Sequence, residues 1–182
     1  ARLANVPTVP GSQGVVSSAA QAKIVMEQIG FPLLIKASHG GGGKGIGTVF
    51  TSKDLEKTFH RVRQEAASAF GCGDVYLERL VENVRHIEVQ VLRDRQGNFR
   101  MIGVRDCSTQ RNRQKVIEES GEYVISKNQI ESLRSWSRQL SETIQYIGAG
   151  TVEFLYDLDR KCFYFMEMNT RLQVEHIVTE MT

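Results

Sequence analysis

Near the end of the sequence, two glutamates are spaced to face one another across a β-hairpin. In GAGTVEFLYDLDRKCFYFMEMNTR, Val152, Phe154 and Tyr156 alternate with Thr151, Glu153 and Leu155, the period of a half-buried strand. On the return strand Phe163, Phe165, Glu167 and Asn169 are expected to share a face. A turn centred near Arg160 then sets Glu153 opposite Glu167, with Asn169 one step along. Opposed carboxylates repel, and Glu is disfavoured in strands. Either this is a solvated face or a divalent cation relieves the repulsion. Carboxylates plus an amide, all oxygen donors, suit Mg²⁺ or Mn²⁺ held together with nucleotide phosphates. The following NTRLQVEH crowds Arg171, Gln173, Glu175 and His176 into one loop. An Arg there can grip a planar anion through its fork, and a Glu beside it can act as a general base.

The second chemical signal is HGGGGKG, His39–Gly45. Gly40, Gly42 and Gly45 formally match G-x-G-x-x-G, but that fingerprint requires a helix directly after the glycines. Here Ile46–Phe50, IGTVF, favours strand instead. Lys44 is followed by Gly45 rather than Ser or Thr, so the P-loop pattern fails too. A strand–glycines–strand hairpin remains, either a plain surface hairpin or a loop whose backbone N–H groups close over phosphates. Lys36 lies in the apolar strand just before it, where a buried ammonium needs an anionic partner.

The elements that position these groups are legible from period and punctuation. Ser18 and Gln21 predict a capping box for a helix over Ala19–Ile29, stopped by Gly30 and Pro32. Leu33–Ala37 and Ile46–Phe50 read as strands. A helix from Ser52 carries Leu55, Phe59, Val62 and Ala66 on one stripe and ends at Gly71–Gly73. Strands are expected at Val75–Leu80, His86–Leu92, Phe99–Cys107, Arg113–Glu118, Thr151–Tyr156 and Cys162–Met168. Ser126 and Gln129 cap a long helix whose stripe runs Ile130, Leu133, Trp136, Leu140, Ile144 and Ile147. The class is α+β, with a lid-plus-core division near Gly73–Leu80: a glycine-loop subdomain over 1–77 and a core over 78–182.

The bulk numbers are compatible with this. The 182 residues are 41% hydrophobic and 24% charged, with net charge +2, ordinary for a globular chain long enough to form a core. No global field marks the chain for nucleic acid, and the basic set Arg105, Arg111, Arg113 and Lys115 lacks an aromatic stacking platform. Cys72, Cys107 and Cys162 are sparse and odd in number, as expected of reduced thiols in a cytosol-like compartment. No apolar run approaches the ~20 residues of a membrane span. The sequence starts at Ala1 without a Met and reads as a piece of a longer protein.

Together, KASHGGGGKGIG, YLERLVENVRHIEVQVL, RDCSTQRNRQKVIEES, GAGTVEFL and FMEMNTRLQVEHIVTEMT resemble the biotin carboxylase family in order and approximate spacing. The resemblance covers nearly the whole chain. It implies an ATP-grasp fold, in which a glycine-rich lid closes on ATP against a sheet carrying the metal acids. It also implies a reaction in which ATP and bicarbonate give carboxyphosphate, whose CO₂ passes to biotin on a carrier. By position, Lys36 would contact the nucleotide, and Gly41, Gly42, Gly43, Lys44 and Gly45 would cover its phosphates. Glu78, Arg79 and Leu80 match the adenine segment, and His86 and Gln110 the ribose and phosphate side. Glu153, Glu167 and Asn169 match the metal ligands. Lys115, Arg171, Gln173 and the Val174 backbone match the bicarbonate pocket, and Glu175 the base.

Further implications of the resemblance are a biotin carboxyl carrier domain and a carboxyltransferase as partners in an acyl-CoA carboxylase, an oligomer, and a cytoplasmic setting (mitochondrial if the source is eukaryotic). The chain departs from the family at Arg113, where His is usual, at Val104, where Glu is usual, and at Ile177, where Pro is usual. At Arg79 the family commonly has Lys. The alternatives left open are a carbamoyl-phosphate synthetase-like ligase and a non-catalytic nucleotide-binding module. A dinucleotide oxidoreductase is disfavoured by the strand after the glycines.

Overall fold

The computed structural model describes residues 1–40, 44–112 and 114–182. Gly41, Gly42, Gly43 and the departure at Arg113 lie outside the described residues. The chain forms two compact units, Val9–Glu82 and Ala1–Thr8 with Asn83–Thr182. The sequence-based division at 77/78 cuts through a strand that the first unit needs for its sheet.

In Val9–Glu82, α1 (Ala19–Ile29) and α2 (Ser52–Phe70) cover an antiparallel sheet of β1 (Leu33–Ala37), β2 (Ile46–Val49) and β3 (Val75–Arg79), in the order β2-β1-β3. Strand alternation buries Leu33, Ile35 and Ala37 and leaves Lys36 on the opposite face, as the period of 2 requires. The α2 stripe Leu55, Phe59, Val62 and Ala66 is fully buried. The α1 box differs from expectation in one bond. Ser18 Oγ accepts from Gln21 N (3.2 Å), but Gln21 Oε1 accepts from Ser17 N (3.0 Å).

The second unit is a five-stranded antiparallel sheet in the order β6-β5-β4-β7-β8. Its strands are β4 (Val84–Arg93), β5 (Phe99–Arg111), β6 (Gln114–Ser120), β7 (Gly148–Asp157) and β8 (Cys162–Asn169), and its helices are α3 (Lys127–Thr143) and α4 (His176–Glu180). Ile87, Val89, Val91, Val152 and Phe154 form one apolar face, covered by Leu133 and Leu140 of α3. Trp136 packs beside Phe154 and Phe163. The expected stripe overruns the helix: α3 ends at Thr143, and Ile144 and Ile147 are 50% and 54% exposed.

The α3 capping box is complete, with Ser126 Oγ accepting from Gln129 N and Gln129 Oε1 accepting from Ser126 N (2.8 Å). Ser126→Ala should therefore lower unfolding free energy by about 1 kcal/mol, read as a lower urea midpoint at unchanged slope. An unchanged midpoint would mean the cap adds nothing.

One sequence expectation about β8 is corrected. Glu153 does pair with Glu167 and Thr151 with Asn169, but Phe154 pairs with Phe165 and Tyr156 with Phe163. The register shifts between Glu153 and Phe154, so a bulge at Met166 breaks the alternation. Phe163 and Phe165 turn to the apolar core, while Glu167 and Asn169 lie with Glu153 on the other face. Bulges re-aim side chains in this way.

Candidate active site

The polar face of the five-stranded sheet is organised in rungs. Arg105 on β5 pairs with Glu88 on β4, Glu88 with Glu153 on β7, and Glu153 with Glu167 on β8. This one rung carries a guanidinium and three carboxylates, of which Glu88 and Glu153 are buried. The next rung runs Gly103, Gln90, Thr151 and Asn169. Buried carboxylates at such spacing need cations or donors, and the fold supplies both.

Lys115 on β6 brings its ammonium into this cluster. Its Nζ touches Glu88 and lies 2.5 Å from Glu175 Oε1 and 3.5 Å from Glu153 Oε1. Burial alone would lower the Lys115 pKa, but the hydrogen bonds to Glu175 and Glu88 outweigh it and hold the group well above its ordinary value. Burial would likewise raise Glu153, yet His86, Lys115 and Gln173 together hold it below the usual carboxylate range. Glu175 is also held low: burial raises it, and the hydrogen bond from Lys115 wins. Lys115, Glu153 and Glu175 are thus charged at neutral pH.

Asn169 Nδ2 donates to Glu153 Oε1 (2.7 Å) and reaches Glu167 Oε1 at 3.4 Å. The three residues expected to hold a metal are therefore together, and an amide turned about would present a third oxygen beside the two carboxylates. His86 Nε2, Glu88 and Glu153 also bring one possible ligand atom each within 4.8 Å of one another. The tautomer argues against that second set. Gln110 Nε2 donates to the Cys107 carbonyl (2.8 Å) and lies 2.8 Å from His86 Nδ1. The Nδ1 must accept, so in the neutral ring Nε2 carries the proton and cannot ligate. The Nε2 lies 3.0 Å from Glu153 Oε2 and 3.4 Å from Glu88 Oε1, close but not aligned as a hydrogen bond.

Of the loop residues, Gln173 is buried, with Nε2 3.4 Å from Glu153 Oε1 and its Oε1 without a hydrogen-bond partner. Glu175 is the residue at the N-terminal boundary of α4, its side chain making no capping bond. Arg171 is exposed, its Nη1 donating to the Leu172 carbonyl (3.3 Å), and Val174 is exposed too. The fold thus gathers Lys115, Gln173 and Glu175 around Glu153 and leaves the Arg171 fork turned to solvent.

In the first unit, Lys36 Nζ pairs with Glu78 Oε1 at 2.9 Å. The anionic partner expected for Lys36 is supplied by another expected nucleotide residue. Burial alone would lower Lys36, and Glu78 raises it past its ordinary value. Arg79 caps the end of α1, its Nη2 donating to the Ile29 carbonyl (3.3 Å), and Leu80 N donates to Pro32 O (2.9 Å). Gly45 adopts φ +67°, where a Cβ would stand 2.8 Å from that of Ala37, so this loop end requires glycine. Lys44 is exposed.

Sequence reasoning missed Glu88 and Arg105, two buried members of the central rung beside Glu153. A signal existed. HIEVQVL alternates, and placing Ile87, Val89 and Val91 on the core face puts His86, Glu88 and Gln90 together on the other.

The family described as "Carbamoyl-phosphate synthase L chain, ATP binding domain" matches residues 1–182. The chain is 47% identical over 180 residues to biotin carboxylase 1 of Bacillus subtilis, covering 99% of this chain and 40% of that protein. It superposes with TM-score 0.93 and 47% identity on a biotin carboxylase–β-γ-ATP complex from Campylobacter jejuni, covering 99% of this chain and 40% of that one. A second neighbour is the biotin carboxylase domain dimer of Hydrogenobacter thermophilus 2-oxoglutarate carboxylase, in complex with MgADP, ADP and bicarbonate. There the TM-score is 0.91 at 45% identity, over 99% of this chain and 40% of that one. The chain thus spans about two fifths of the length of these relatives. With the paired strand acids and the α+β architecture in place, the chain belongs to the carbamoyl-phosphate synthase L chain ATP-binding-domain family, an ATP-grasp family, and is similar there to biotin carboxylases.

Proposed function

We propose that this chain is the ATP-grasp part of a biotin carboxylase, which uses MgATP and bicarbonate to form carboxyphosphate and carboxylates biotin on a carrier. The observation that carries the reading is the Lys115–Glu175 pair, 2.5 Å apart beside buried Gln173 and Glu153. An ionised carboxylate next to an ammonium and an amide suits the binding and deprotonation of a small planar oxyanion. Bicarbonate is a poor nucleophile until it loses its proton, and Glu175 is the group assigned to take it.

Lys115, Gln173, the Val174 backbone and Arg171 are assigned to bicarbonate, with Arg171 turning its fork inward when the anion arrives. Lys36, Gly41, Gly42, Gly43, Lys44 and Gly45 are assigned to the phosphates of ATP, and Glu78, Arg79 and Leu80 to adenine. His86 and Gln110 are assigned to the ribose and phosphate side. Glu153, Glu167 and Asn169 would hold Mg²⁺ or Mn²⁺, which when bound supplies positive charge against the phosphate oxygens. Biotin on a carrier domain, a carboxyltransferase, a second subunit and the cytoplasmic or mitochondrial setting belong to the same proposal. Among the described residues no helix is long and apolar enough to cross a membrane.

The test is ADP formation from MgATP by the complete protein, with and without bicarbonate and biotin. A rate that needs bicarbonate and rises with biotin is expected. A bicarbonate-dependent rate indifferent to biotin would move the assignment to a carbamoyl-phosphate synthetase-like ligase. Tight ATP binding without hydrolysis would leave a non-catalytic module.

A further inference from the structure

Arg105 is completely buried, and all five of its N–H donors are engaged. Nε and Nη2 donate to Glu88 Oε2 at 3.3 and 3.0 Å. The second Nη2 proton goes to Thr151 Oγ1 at 3.2 Å. The two Nη1 protons go to Gln90 Oε1 at 2.9 Å and Thr179 Oγ1 at 2.8 Å. Four of these contacts lie within the sheet; the fifth leaves it and reaches α4. We propose that Arg105 is a positioning residue that ties α4 to the sheet and so holds Glu175 against Lys115.

The geometry of α4 makes the tie effective. Glu175 is the N-cap of this short helix, and Thr179 lies about one turn further on. Val178 N donates to the Glu175 carbonyl (3.1 Å), and His176 Nδ1 meets Glu180 Oε1 (2.6 Å), so the turn is closed internally. Fixing Thr179 therefore fixes Glu175. Beneath it, β5 offers room at Gly103, where a Cβ would stand 2.8 Å from Thr179 Cγ2. A side chain there would lift Thr179 off the sheet.

The same guanidinium acts on the other side of Lys115. By engaging Oε2 of Glu88 with two donors it turns Oε1 toward the Lys115 ammonium. The two carboxylates nearest Lys115, one from the sheet and one at the start of the helix, are thus set by one side chain. A lysine at 105 could not reproduce this, because a single Nζ lacks the planar fork that meets a carboxylate and a hydroxyl at once.

The inference deepens the reading of Lys115 and Glu175 as the bicarbonate site and rests on it for its kinetic consequence. Thr179→Val, Gly103→Ala and the conservative Thr179→Ser are compared in the complete protein by two readouts. One is hydrogen exchange of the α4 amides relative to those of β4 and β7. The other is ADP formation, with KM for bicarbonate and for ATP measured separately. Thr179→Val and Gly103→Ala are each expected to speed α4 exchange and to raise the bicarbonate KM about tenfold, the worth of one hydrogen bond to a charged group. The ATP KM should hold, and Thr179→Ser should recover both readouts. Wild-type α4 exchange and bicarbonate KM in folded Thr179→Val and Gly103→Ala overturn the proposal. If the unsubstituted protein forms no ADP in response to bicarbonate, the functional reading is what fails, and α4 exchange alone decides the tie.

Discussion

Glu175→Gln in the complete protein should lower bicarbonate-dependent ADP formation about 10²–10⁴-fold, the usual contribution of a positioned general base, while ATP affinity stays near that of the unsubstituted protein. The carboxamide keeps the shape of the side chain and loses its basicity. It also sets a choice between amide oxygen and amide NH₂ before the Lys115 ammonium, which lies 2.5 Å from Glu175 Oε1 in the native arrangement; only the oxygen is tolerated there. Burial would raise the Glu175 pKa, but the hydrogen bond from Lys115 holds it low. The native group is therefore ionised throughout the neutral range. Because its folded value is depressed, its contribution to stability is present above the ordinary Glu pKa of about 4.3 and is lost as pH falls through the folded value. Steady-state ADP release and calorimetric ATP binding on the same preparation check the claim. An unchanged rate in a folded variant would remove Glu175 as the base.

What was legible in the sequence was whatever local period and punctuation encode. Ser126 and Gln129 announce the start of α3 because both bonds of a capping box close within one turn. The α2 stripe is legible because one face repeats every third or fourth residue. The Glu153–Glu167 pairing followed from a short hairpin, where turn position fixes register.

The illegible parts depend on neighbours distant in sequence. Glu88 becomes a member of the charged rung only once β4 lies between β5 and β7, which fixes Arg105 on one side and Glu153 on the other. Nothing near Glu88 in sequence announces those partners. The bulge at Met166 was missed because strict alternation predicts one face for Phe165 and Glu167. The core requirement for Phe165 and the site requirement for Glu167 are met together only by an extra residue. Lys115 was named through family likeness rather than spacing. Its contacts with Glu88, Glu153 and Glu175 join three elements that no local pattern connects. The overrun at Ile144 and Ile147 has the opposite cause: an apolar spacing persists where the helix has already ended.

Lys115→Met should lower the stability of the protein by about 3–5 kcal/mol near neutral pH, the cost of breaking a buried ion pair from one side, and abolish bicarbonate-dependent turnover. Methionine preserves most of the side-chain volume, so the loss is electrostatic. Glu88 and Glu153 are buried and Glu175 partly so, and removing the ammonium leaves like charges to repel within the cluster. Without Lys115 the pKa values of Glu153 and Glu175, which it holds low, must rise. Protonation then relieves the repulsion, so the deficit relative to the unsubstituted protein should shrink as pH falls. A second substitution, Glu175→Gln, removes one of the stranded charges. The double variant should consequently be more stable than Lys115→Met alone, an interaction of opposite sign to simple additivity. Chemical denaturation of the four proteins at two pH values completes the cycle. Additive losses at both pH values would mean that Lys115 is held by packing, and that the carboxylates around it are compensated by other groups.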